Sequence, residues 1–215
     1  MTQPAALQKL LTWLSPAFPV GAFAWSAGLE SAIADRTLTD STALQNWLEG
    51  LLAHGGLKTD AILLTQAWQD TEALQDLADL AIALTPARER VAETTITGDN
   101  FAIAARAWAV ELTLPQPCPY PIAVGATARA HDIGLEDTLL AFLTAAVHSQ
   151  ISVAVRLVPL GQTDGLRVMA ALEPRVGALA KLAATATLAD IGGIAYATDI
   201  AQMRHETLEP RIFRS

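Results

Sequence analysis

The sequence predicts an all-α fold, a single-domain helical bundle of about eight to ten helices running over residues 1–215, and three observations predict it. Apolar residues recur at helical spacing along most of the chain. Only Ile151, Val153, Val155 and Leu157 alternate as in a strand, and one strand without a partner makes no sheet. Apolar residues make up 52% of the chain and charged residues 17%, a balance that drives collapse and leaves apolar surface over for a partner.

The elements follow in order. Leu7, Leu10, Leu11 and Leu14 form one apolar stripe, and Leu44, Trp47, Leu48, Leu51 and Leu52 form another, with Asp40 or Ser41 as its N-cap and Gly55-Gly56 as its stop. The same period continues over Thr59–Asp70 and through Leu74, Leu77, Ala81 and Leu84. Thr85-Pro86 reads as an N-cap with proline at the first helical position. It opens the longest helix, to about Leu114, which Gly98-Asp99-Asn100 kinks or divides. Alternate prolines from Pro115 to Pro121 make a linker, since each removes a donor and extends its predecessor.

Beyond the linker, Ile122–Ala130 is a short helix. Leu135–Leu157 is apolar on nearly every side, as expected at the centre of a bundle. Pro159 and Gly161 end it, Asp164 caps the next helix, Glu173-Pro174 breaks that one, and an alanine-rich helix runs from Arg175 to about Asp190. After Gly192-Gly193 the chain is less regular, and residues 204–215 mix charge with isolated apolar anchors, the pattern of a tail that docks rather than folds alone.

Composition narrows function. No run of apolar residues is long enough to span a membrane, and Met1-Thr2-Gln3-Pro4 lacks the features of a secretory signal, so the expected location is the cytoplasm. One cysteine, Cys118, fits a reducing compartment and rules out an intrachain disulfide. A net charge of −8 without a basic stripe argues against nucleic acid.

The motifs that could carry chemistry are weak. Ala24-Trp25-Ser26-Ala27-Gly28 matches a hydrolase nucleophile elbow except at its first position, but the elbow needs a strand before it and a sheet beneath. His205 and Glu209 have a spacing that can chelate a metal, yet Pro210 follows at once and no second histidine is near. His54, His131 and His148 lie on different elements, and Cys118 has no neighbouring base. No phosphate-binding glycine loop is present. The expectation is no catalytic residue, no metal ligand and no cofactor. Phe23 and Trp25, set among small residues after two prolines, read equally well as interface anchors or as core.

That segment, Leu14 to Glu30, resembles the N-terminal stretch of the urease accessory protein UreF family, S-P-x-x-P-x-G-x-F-x-[YW]-S-x-G-L-E, at Ser15, Pro16, Pro19, Gly21, Phe23, Ser26, Gly28, Leu29 and Glu30. Pro121 to Gly125, Ala154 to Gly165, Met203 to Thr207 and Arg211 to Ser215 extend the resemblance in order along the chain. It implies an all-α, dimeric, non-enzymatic protein. Such a protein joins UreD (also called UreH) and the GTPase UreG in the complex that delivers nickel to apo-urease, recruiting or regulating UreG. On that reading residues 1–30 and 204–215 are docking segments, with Phe23, Trp25, Ser26, Glu30, His205, Glu206, Arg211, Phe213 and Arg214 as partner contacts. The rival readings are a serine hydrolase using Ser26 and a nickel-binding chaperone acting by itself.

Overall fold

The computed structural model describes residues 3–215, and among them every regular element is helical. Ten α-helices pack on one continuous core: α1 Pro4–Trp13, α2 Leu29–Ala34, α3 Ser41–His54, α4 Gly56–Gln69, α5 Leu74–Leu84, α6 Arg88–Ala105, α7 Tyr120–Ala130, α8 Leu135–Leu157, α9 Gln162–Ala183 and α10 Tyr196–His205. Two short 3₁₀ turns, Ala22–Ala24 and Leu188–Asp190, complete the list. The bundle expected from periodicity is the one observed.

The expected centre moves by one helix. In α7 every residue from Pro121 to Ala128 is buried, whereas α8 keeps a half-buried face and an exposed Leu140. Small residues explain the exchange. Gly125 meets α4 so closely that a Cβ there would lie 2.4 Å from the Leu64 carbonyl oxygen, so α7 can sink between α4 and α6 where a bulkier helix could not. By length and hydropathy α8 could cross a membrane, but here Leu139, Phe142, Leu143, Val147 and Ile151 turn into the core.

Asp40 caps α3 as expected, its Oδ1 accepting the Ala43 N–H at 2.9 Å, and Gly55 ends that helix while Gly56 begins α4. Other expectations are corrected. Thr85 closes α5, its hydroxyl donating to the Ala81 carbonyl at 2.8 Å, and α6 starts only after Ala87. Neither does α6 reach Leu114. It ends at Ala105, and residues 107–119 turn back along it. Asp99 Oδ1 accepts the Cys118 N–H at 2.9 Å and Thr94 Oγ1 accepts the Tyr120 N–H at 3.2 Å. Gly98 is no kink. A Cβ there would lie 1.9 Å from the Cys118 carbonyl oxygen, so glycine is what lets the linker lie against an unbroken helix.

Pro174 does not break α9, which runs straight through to Ala183. An interior proline costs about 3 kcal/mol, but Pro174 and Ala170 are both exposed, so water can satisfy the carbonyl the ring leaves free. The stretch after Ala183 holds only a 3₁₀ turn capped by Thr187 and Asp190, so the alanine-rich helix is shorter than its composition implied. The stripe of α1 is also only half used: Leu10 and Trp13 are buried, while Leu7 and Leu11 face outward.

A clasp between the two ends of the chain

Six of the nine residues predicted as partner contacts, Trp25, Ser26, Glu30, His205, Phe213 and Arg214, meet one another or the tail backbone, and the two chain ends supply them. Gly28 opens α2 in the left-handed conformation, φ 84°, and a Cβ there would lie 2.8 Å from the backbone nitrogen of Gln202. Only glycine satisfies both demands, and α2 therefore lies directly against α10.

That contact sets Glu30, on α2, beneath the C-terminal strand of chain. Its Oε1 accepts the Ile212 N–H at 2.6 Å, and its Oε2 accepts the Phe213 N–H at 2.9 Å and faces His205 Nε2 at 2.9 Å. His205 is wholly buried, and its Nδ1 lies 2.7 Å from Glu89 Oε2 at the start of α6. Both ring nitrogens are therefore engaged, one with each carboxyl group. Burial pushes the Glu30 carboxyl up, but His205 and the two backbone N–H groups outweigh it, and the net shift is downward.

Backbone and ring contacts finish the closure. Ser26 gives both its N–H, at 2.7 Å, and its hydroxyl to the Ser215 carbonyl, and the Arg214 N–H donates to the Ala24 carbonyl at 2.8 Å. The Ser215 hydroxyl lies 3.2 Å from Glu93 Oε2. Arg214 covers the buried Trp25 ring at 5.0 Å, and Arg156 of α8 lies between Phe213, at 4.9 Å, and Phe23, at 5.9 Å. Arg211 pairs with the second oxygen of Glu89 at 2.5 Å. Glu206 accepts the Arg88 N–H at 2.9 Å and so caps α6, a helix whose own N-cap, Ala87, has no side chain to do it.

The open alternative for the two aromatics divides between them. Trp25 is core, and Phe23 is 57% exposed. Sequence reasoning missed Glu89, Glu93, Arg156 and Ser215. The signal that could have found the two acids is their i, i+4 spacing on α6, one turn apart on a single face.

The geometry bears on the weaker motifs too. The Ser26 hydroxyl is committed to a main-chain carbonyl, with the Glu30 N–H 3.3 Å behind it, and no strand precedes it. His205 has neither ring nitrogen to spare for a metal, and among the described residues no three His, Cys, Asp or Glu side chains gather in a metal-binding group. Cys118 is fully buried. Desolvation, with Asp99 nearby, pushes its thiol up to about 12, so it carries little thiolate. His54 and His148 are exposed, and His131 lies beside Lys9.

Fold and site define an all-helical protein whose ends are locked together by a buried carboxylate–imidazole–carboxylate bridge. Residues 38–173 match the UreF family model. Similar proteins, each described as urease accessory protein UreF, come from Agrobacterium fabrum, Rhizobium etli (strain CFN 42) and Bradyrhizobium diazoefficiens. The first is 47% identical over 216 residues, covering 98% of this chain and 97% of that protein. The second is 46% identical over 215 residues, covering 98% and 96%, and the third 46% over 225 residues, covering 99% and 93%. The chain belongs to the UreF family of urease accessory proteins.

Proposed function

We propose that this chain is a non-enzymatic, cytoplasmic scaffold, working as a homodimer, that with UreD/UreH and the GTPase UreG forms the complex inserting nickel into apo-urease. Nickel is the cargo of that complex, and this chain recruits or regulates UreG. The clasp is the observation that supports the reading most. It turns two segments from opposite ends of the sequence into one surface, with the predicted contacts divided by task.

Trp25, Ser26, Glu30, His205 and Phe213 are buried and hold the clasp shut, and the half-buried Glu206 steadies α6 beside it. Phe23, Arg211 and Arg214 remain outside and are available to UreD. The same tail carries Ile212, the most exposed large apolar side chain among the described residues at 79%, and Tyr196, Ile200 and Met203 follow i, i+4, i+7 as exposed residues of α10 just before it. Tyrosine and arginine are among the residue types enriched in binding hot spots. Because the tail is already ordered on its own chain, docking UreD there avoids much of the several kcal/mol that ordering a free segment costs.

The test is co-purification of UreD and UreG with the tagged chain. Wild type should recover both. Ile212→Asp and Phe23→Asp, each at an exposed position, should cut UreD recovery about ten-fold or more while leaving the thermal midpoint in place. Undiminished UreD recovery by both variants would overturn the assignment of this face.

A further inference from the structure

The first two turns of α6 find most of their polar partners outside α6. Ala87, at the N-cap position, has no side-chain acceptor, and the Arg88 N–H goes instead to Glu206 of the tail at 2.9 Å. Glu89 and Glu93, one turn apart, both meet the tail. Glu89 holds the His205 ring at 2.7 Å and Arg211, and Glu93 Oε2 accepts the Ser215 hydroxyl at 3.2 Å. Arg90, which lies between them in sequence, reaches Asp60 of α4 at 2.7 Å and Glu93 Oε1 at 3.4 Å.

These contacts make one unbroken path. It runs from Asp60 through Arg90 and Glu93 to the Ser215 hydroxyl, which lies 3.3 Å from the Ala27 N–H, and so it joins α4 to both ends of the chain. Charge shows why the path depends on the tail. The body of the protein contributes the carboxyl groups of Glu30, Asp60, Glu89 and Glu93, and among the described residues Arg90 is the one guanidinium outside the tail that pairs with any of them. The tail brings the remaining partners: the His205 ring, Arg211, the Ile212 and Phe213 N–H groups and the Ser215 hydroxyl. When it lifts, Glu30 and Glu89 lose these partners, Glu93 loses its hydroxyl, and α6 loses its cap. All but the Glu30 loss falls on the same two turns of α6.

We propose that the tail, the first two turns of α6 and Asp60 on α4 open and close as one unit, so that lifting the tail frays the start of α6 and a change at Asp60 loosens the tail. The arrangement on α6 is what couples them, with acids at i and i+4 gripping the tail while Arg90 grips α4. The coupling is a property of the isolated chain and does not depend on the scaffold reading.

The test is native-state hydrogen exchange on the full chain without partners. Asp60 has no hydrogen bond or ion pair to the tail, yet Asp60→Asn should lower the protection of the Phe213 and Arg214 amides about ten-fold. In the reverse direction, Glu206→Ala should lower protection about ten-fold at Val91, whose N–H bonds the Ala87 carbonyl at 3.0 Å, and Ser215→Ala should lower it several-fold. Leu44 in α3, outside the path, should keep its protection in every variant. In Asp60→Asn combined with Ser215→Ala, the loss at Arg214 should fall short of the product of the two single losses, because the second change strikes a unit already loosened. Unchanged Phe213 and Arg214 amides in Asp60→Asn, an equal loss at Leu44, or a double-variant loss equal to that product would overturn the proposal. Where Asp60→Asn does not fold, unchanged protection of Val91 in both tail variants overturns it.

Discussion

The α4–α7 crossing and the terminal clasp are both buried, and they are built on opposite principles. At the crossing, glycine lets backbones touch and the surroundings are aliphatic, so its stability rests on shape and apolar area. At the clasp, one carboxylate receives two backbone N–H groups and an imidazole, and closure rests on charge-assisted hydrogen bonds. The first kind of contact ignores pH and tolerates no added atom. The second responds to a proton, because its anchor is the Glu30 carboxylate.

Added volume gives the largest expected effect. Gly98→Ala or Gly125→Ala places a Cβ against main-chain carbonyls that cannot move aside, and each should lower stability by about 3 kcal/mol or more in urea unfolding. Glu30→Gln should leave the unfolding midpoint less affected. Hydrogen exchange should find the amides of Ile212 and Phe213 about a hundred-fold less protected, because two charge-assisted bonds and the His205 bridge weaken together.

Acid should sharpen the contrast. Glu30 is held below its ordinary 4.5, so its contribution is complete above that value and is lost as pH falls through the folded-state pKa. Asp60 and Glu93 are shifted upward and work the other way, adding stability as they take up protons and losing it as pH rises. Below pH 4.5 the tail should therefore become protease-sensitive at Arg211 and Arg214 before the helical circular dichroism signal falls. The smallest effect belongs to Arg204→Ala, which removes an exposed pair with Asp35 at 2.9 Å and should change stability by no more than about 1 kcal/mol.

How far the sequence disclosed all this depends on how local each cause is. The α3 cap at Asp40, the bounds of α8 and the bundle itself follow from spacing and neighbours a few residues away, and they were legible. The end of α6, the course of α9 through Pro174 and the outward turn of Leu7 and Leu11 depend on what lies across the fold or on solvent at one face, which periodicity does not carry. Both end segments could be singled out as unusual stretches with isolated apolar and charged anchors. That their first partner is each other could not, since the Glu30–His205–Glu89 bridge joins residues far apart in the chain through a contact that only Gly28 permits.

The central claim is that the closed clasp is what UreD recognises, and the affinity of the Glu30→Gln chain for UreD tests it most directly. If the clasp must be shut to bind, an open tail lowers the competent fraction, and UreD should bind this variant about ten-fold or more weakly than wild type, with UreD itself unchanged. Equal or tighter binding by Glu30→Gln would contradict the account.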